Sequence, residues 1–191
     1  MDHLITEKAM LDRDEVITLL RDCEVISVPY GEKNTLKEGT EVEVMQAMGG
    51  SYTIYTSEGM FRISGYNADA IGKETEPPPS VPTNISDEEY ESKIWEQMRT
   101  VYDPEIPINV VDLGLIYTCK IKKSNANEYS VAIEMTLTAP GCGMADVLVE
   151  DIKERVEMLP RIAKVEVALV LDPPWSMEMM SETARLEAGL I

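Results

Sequence analysis

The chain has 191 residues, 44% of them hydrophobic and 27% charged, the composition of a globular protein with a real core rather than a disordered chain. Its 35 acidic residues against 17 basic ones leave a formal net charge of −18. That field repels nucleic-acid phosphates and anionic membrane surfaces, while cations, metal ions and basic protein surfaces remain suitable partners.

In chain order, Asp14 to Arg21 reads as a short helix with Val16, Ile17 and Leu20 turned inward. Strand patterns follow at Val25 to Val28, Glu41 to Met48, Ser51 to Thr56 and Met60 to Ser64. Gly49-Gly50 is a two-residue hairpin signal, and Ser57-Glu58-Gly59 marks a second turn. A small β-meander or barrel of about four or five strands is the expectation for residues 1–73. Asn67 to Ile71 reads as a closing helical turn stopped by Gly72.

Residues 74–85 form a proline-rich linker, with Pro77, Pro78, Pro79 and Pro82 favouring an extended spacer. From 86 to 191 the order is α-β-β-α-β-α, so the whole chain is assigned to the α+β class. Ser86-Asp87-Glu88-Glu89 is a capping box that opens a helix with Tyr90, Ile94, Met98 and Val101 on one stripe. Leu115, Tyr117, Cys119 and Ile121 share a parity, which places Cys119 in the core of a strand. A second strand over 129–138 carries Tyr129, Val131, Ile133, Met135 and Leu137 on one face, and Thr136 and Thr138 on the other. Met144, Leu148, Ile152, Val156 and Leu159 make the apolar stripe of a helix that Pro160 ends. The last strand turns Val165, Val167, Leu169 and Leu171 inward, completing a three-stranded sheet. Asp172-Pro173-Pro174-Trp175 is a rigid exit before a short helix within 176–188.

The three cysteines are an odd count without a Cys-x-x-Cys pair, which argues against a disulfide framework or a zinc knuckle. The single histidine, His3, makes a Ser-His-Asp or Cys-His arrangement improbable, and no phosphate-loop or dinucleotide fingerprint is present. Cys142 is the informative thiol. It stands between Gly141 and Gly143 where a strand pattern hands over to a helix, so unpaired helix N–H groups favour its thiolate. Asp103-Pro104-Glu105-Ile106-Pro107 holds two carboxylates between two prolines, and Asp112 lies close by. Folded over the helix start, these acids would meet Cys142 and the hydroxyls of Thr136 and Thr138. Thiolate with carboxylate is a mixed ligand set suited to transient iron or zinc binding. Trp175 and the methionines Met179 and Met180 are candidates for a partner-binding surface.

Val101 to Pro107, Val111 to Leu115, Thr138 to Cys142 and Asp172 to Trp175 together resemble the SufT family of iron–sulfur cluster assembly proteins. The likeness extends to PaaD and to the cytosolic iron–sulfur targeting factors. Gln46 to Gly50 and Arg62 to Ala70 look like the SufT-specific N-terminal extension. Gly143-Met144 follows the cysteine where many relatives carry proline. The resemblance implies a role in maturing iron–sulfur proteins, with Asp103, Glu105, Thr138 and Cys142 as the functional patch. Iron–sulfur carriers and client proteins are the implied partners.

A conventional cluster takes four thiolates, or two with two histidines, so three scattered cysteines do not make a resident site. The expectation is therefore an accessory factor that contacts iron or a cluster briefly through Cys142, alone or shared between two Cys142 residues of a homodimer. One rival is an adaptor that bridges carrier and client with Cys142 idle. Another is a thiol-dependent enzyme with Cys142 as nucleophile and Glu105 or Asp103 as base.

Overall fold

The computed structural model describes residues 16–139 and 143–190. The chain divides into two compact units, Met1–Pro77 and Pro78–Ile191.

The first unit is an antiparallel sheet of strands β1 (Val16–Thr18), β2 (Cys23–Val28), β3 (Lys33–Leu36), β4 (Glu41–Met48), β5 (Ser51–Thr56) and β6 (Gly59–Ser64). They lie in the order β1-β4-β5-β6-β2-β3. Gly49 and Gly50, at φ 57° and 70°, supply the left-handed pair that a tight turn between β4 and β5 demands. One side of the sheet packs Val25, Val44, Ile54, Phe61 and Ile63 into a single core with Cys23 and Leu36. A 3₁₀ helix, Gly65–Ile71, closes the unit and stops at Gly72 with φ 68°.

Two expectations change here. The helix expected over 14–21 gives way to a strand at Val16–Thr18, where Val16, Ile17 and Thr18 pair with Glu43, Val42 and Glu41; Asp14 and Glu15 lie outside the described residues. Three successive β-branched side chains suit a pleated ladder better than a helical turn, and the free edge of β4 gives them one. Leu19 is buried and Leu20 is exposed, the reverse of the helical reading for Leu20. The sheet gains β3 as well. Lys-Asn-Thr-Leu has no alternation to announce it, yet it pairs with β2 through Cys23↔Leu36 and Val25↔Asn34.

The second unit contains α1 (Asp87–Met98), β7 (Ile116–Lys123), β8 (Tyr129–Met135), α2 (Ala145–Glu157), β9 (Ile162–Leu169) and α3 (Glu182–Glu187). Its sheet runs β7-β8-β9, with β7 antiparallel and β9 parallel to β8. The parallel pair requires a crossover, and α2 provides it. Tyr90, Ile94 and Met98 of α1 and Leu148, Ile152 and Val156 of α2 cover the sheet in one core. Tyr90 and Tyr129 stack with ring centroids 4.0 Å apart, and Arg161 lies over both rings.

The inward face of β9 is shorter than its pattern. Val165 is buried and Val167 packs against the core, whereas Leu169 and Leu171 are exposed because the strand ends at Leu169. In β7 a register shift between Ile116 and Thr118 breaks the alternation. Ile116, Cys119 and Ile121 face the core, while the Tyr117 hydroxyl donates to Pro173 O at 2.7 Å. Tyr117 therefore leaves the face that parity assigns to it. Of residues 74–85, Glu76 donates its N–H to Gly65 O, and Val81 and Ile85 pack against the second core.

Candidate functional site

Asp103 is buried, and its Oδ1 accepts hydrogen bonds from the N–H groups of Glu105 and Ile106, both at 2.9 Å. The N–H groups of Glu105 and Ile106 between Pro104 and Pro107 thus find their acceptor in this carboxylate, which sets the turn. Asp103 N–H donates to Ile108 O at 3.1 Å, and Tyr102 bridges to Asn109. The carboxylate oxygen engaged by two amides shapes the loop. Glu105, by contrast, stands exposed at the loop's tip.

Asn109 repeats the device one loop further on. Its Oδ1 accepts from Val111 N–H at 3.1 Å and Asp112 N–H at 2.9 Å. Its Nδ2 donates to Asp112 Oδ2 at 2.6 Å, so Asp112 is partly occupied by a neighbour in its own turn. Asn109 was no candidate from composition, although Asn followed three residues later by Asp is a recognisable local turn pattern.

Backbone bonds stitch these loops to the sheet. Val110 N–H donates to Val101 O and Leu115 N–H to Val110 O, both at 2.9 Å. Thr136 N–H then donates to Leu115 O at 2.8 Å. Thr136 is buried rather than turned outward, and Leu137 beside it is buried too, because β8 ends at Met135 and alternation ends with it. Thr138 is half-buried. The 101–103 segment, the 109–115 loop and Thr136 are thus brought into one framework.

The segment after β9 locks the same loop from the other side. Trp175 Nε1 donates to Leu113 O at 2.7 Å, and Ser181 N–H donates to Asp112 O at 2.8 Å. Gly114, at φ 72°, lies so close to Met179 that a Cβ would stand 2.2 Å from the Met179 carbonyl oxygen. Met180 is buried in the core, so it is no part of an exposed methionine surface, and Trp175 packs partly against that core. Met179 is half-buried, and its sulfur receives the Tyr117 hydroxyl at 3.6 Å.

Cys142 lies outside the described residues, together with Pro140 and Gly141. The helix that follows, α2, begins at Ala145, and Met144 at its N-cap supplies no side-chain acceptor. Burial pushes the thiols of Cys23 and Cys119 up to about 11, which leaves both protonated at neutral pH. Among the described residues no three His, Cys, Asp or Glu side chains are grouped to hold a metal ion.

The sequence matches the family model described as iron–sulfur cluster assembly protein over residues 91–169. An Fe-S protein maturation auxiliary factor of Porphyromonas gingivalis is 46% identical over 101 residues, covering 53% of this chain and 92% of that protein. The chain belongs to the iron–sulfur cluster assembly family. The Fe-S protein maturation auxiliary factor SufT of Staphylococcus aureus is 37% identical over 91 residues, 47% of this chain and 98% of that protein. YitW of Bacillus subtilis, of the same description, is 32% identical over 104 residues, 54% of this chain and 98% of that protein. The assembly-family match spans Asp103, Glu105, Asp112, Thr136, Thr138 and Cys142. Trp175, Met179 and Met180 fall beyond it, as does the whole of the first unit.

Proposed function

We propose that this protein is an accessory factor in the maturation of iron–sulfur proteins, receiving iron or a cluster as transient cargo at Cys142 and passing it to client proteins. The observation that carries the reading is the 46% identity to a maturation auxiliary factor over nearly all of that relative's length. In this reading residues 1–73 are an extension joined through the spacer 74–85 to the assembly domain of 86–191. Glu105 is the carboxylate free to join Cys142 at the cargo, because it is exposed where Asp103 is committed to amides. Asp103, Asp112 and Thr136 position the loops, and Thr138 leads the chain towards the cysteine. Carriers and clients are the partners, encountered in the cytoplasm. Cargo shared between two chains makes a transient homodimer.

Engagement of Trp175 with Leu113 and burial of Met180 weigh against an adaptor built on those side chains. The test is Cys142→Ser in cells that depend on this protein, read as the activity of an aconitase-type client. Client activity should fall while the protein's abundance holds. Unchanged client activity removes the sulfur from the mechanism and leaves a scaffold. Anaerobic reconstitution with iron and sulfide, followed by metal counting, should show sub-stoichiometric iron that Cys142→Ser abolishes and Glu105→Gln lowers.

A further inference from the structure

The sheet of the first unit has apolar side chains on both faces, and its core uses one. Alternation sends Phe61 and Ile63 into the core and Met60 to the opposite face. Following the pairing outward from Met60 gives a row across five adjacent strands: Val16↔Glu43, Glu43↔Tyr55, Tyr55↔Met60 and Met60↔Val28. At the spacing of neighbouring strands the row is roughly 19 Å long. Val16 is 63% exposed, Tyr55 52% and Met60 39%, and none of them joins a core cluster. The solvated face of an antiparallel sheet is ordinarily polar, and an apolar run of Tyr55, Met60 and Val28, with Val16 beyond Glu43, marks a contact surface.

Charge says what the contact is with. Glu43 stands inside the row, Glu41 lies two pairs along opposite Thr18, Glu58 adjoins it in the β5–β6 turn, and Glu24 lies four residues before Val28 in β2. None of these four carboxylates has an ion-pair partner among the described residues. Beside the row, Arg62 is buried and donates to Ser51 Oγ at 2.9 Å, and Lys33 lies at the sheet's far edge opposite Ile26. A second copy of this chain, at −18, would bring like charges together, and an anionic membrane would be repelled. We propose that this face docks a segment of a partner protein that presents lysine or arginine beside apolar side chains. The apolar row contributes the buried area and the acids set orientation and encounter rate.

Titrating the isotope-labelled full chain with a peptide of alternating lysine and leucine tests the assignment, with lysine–serine and glutamate–leucine peptides as controls. Amide shifts should concentrate in residues 16–18, 41–45 and 53–60, for the lysine–leucine peptide alone. Tyr55→Ser with Met60→Ser should weaken binding about tenfold or more. Glu43→Gln should weaken it less and flatten its salt dependence. Equal binding of the lysine–serine peptide, shifts spread over the whole acidic surface, or self-association that the double variant abolishes would each overturn the proposal. The comparison of peptides on the unsubstituted chain holds even if the double variant misfolds.

Discussion

A Cβ on Gly114 would collide with the Met179 backbone and would also be held at φ 72°, where L side chains are strained. Gly114→Ala should therefore lower stability by at least about 1 kcal/mol in urea titration. It should also loosen the C-terminal segment, visible as faster amide exchange at Ser181, whose N–H donates to Asp112 O. At the same scale the two described thiols make a pH prediction. Desolvation raises Cys23 and Cys119 from 9.0 to about 11 in the folded chain, whereas unfolding returns them to ordinary values. A neutral acid with a raised folded pKa stabilises the fold below its unfolded pKa and loses that contribution as pH climbs from about 9 towards 11. Stability should decline over that window, and less steeply in Cys23→Ala after its cavity cost is subtracted. At pH 7.5 both thiols should react slowly with iodoacetamide in the native protein and quickly in urea, as mass spectrometry of the labelled peptides would record.

Among the elements, α1 begins with reciprocal side-chain bonds. Ser86 Oγ accepts from Glu89 N–H and Glu89 Oε2 accepts from Ser86 N–H, a complete capping box. Ser86→Ala should cost about 1 kcal/mol, measured by thermal melting against Ser92→Ala in the same helix as a control. Asp87, in the first turn, ties that helix to the sheet by accepting from Lys123 Nζ at 2.5 Å and from the Tyr129 hydroxyl at 2.7 Å. The hydrogen bond from Lys123, then that from Tyr129, holds Asp87 below its ordinary 3.8. A depressed carboxylate stabilises the fold above its unfolded pKa, and this is lost as pH falls through the folded value. Asp87→Asn should flatten the stability profile below about pH 4 and leave its slope near neutrality unchanged, as acid titration by circular dichroism would show. The capping box was legible because its partners are local, three residues apart. The β7 bulge was not, since Tyr117, at the shift, has its hydroxyl partner at Pro173, fifty-six positions away. β1 was hidden for a related reason: its hydrogen bonds go to an edge that exists only once β4 has paired with β5.

Across the whole molecule, a formal charge of −18 means self-repulsion that salt relieves. Melting temperature should rise as sodium chloride increases from about 0.01 to 0.15 M, where the screening length falls from roughly 30 to 8 Å. Substitution of exposed acids by their amides should mimic the effect, with Glu24→Gln and Glu41→Gln as surface cases. No helix among the described residues is long and apolar enough to cross a membrane. The α+β class, most strands and the stripes of both long helices could be read from the chain itself, because periodicity reports which side chains share a face. Cys142, the carboxylate of Glu105 and the turn prolines were equally visible as residue types. What each one does in the fold depended on neighbours remote in sequence. Asp103 is a loop organiser because two backbone amides close on it, Met180 is core because the C-terminal segment folds back, and Thr136 is buried because β8 stops at Met135. Local chemistry is written in the order of residues, whereas burial and hydrogen-bond occupancy arise from segments that meet only after the chain has folded.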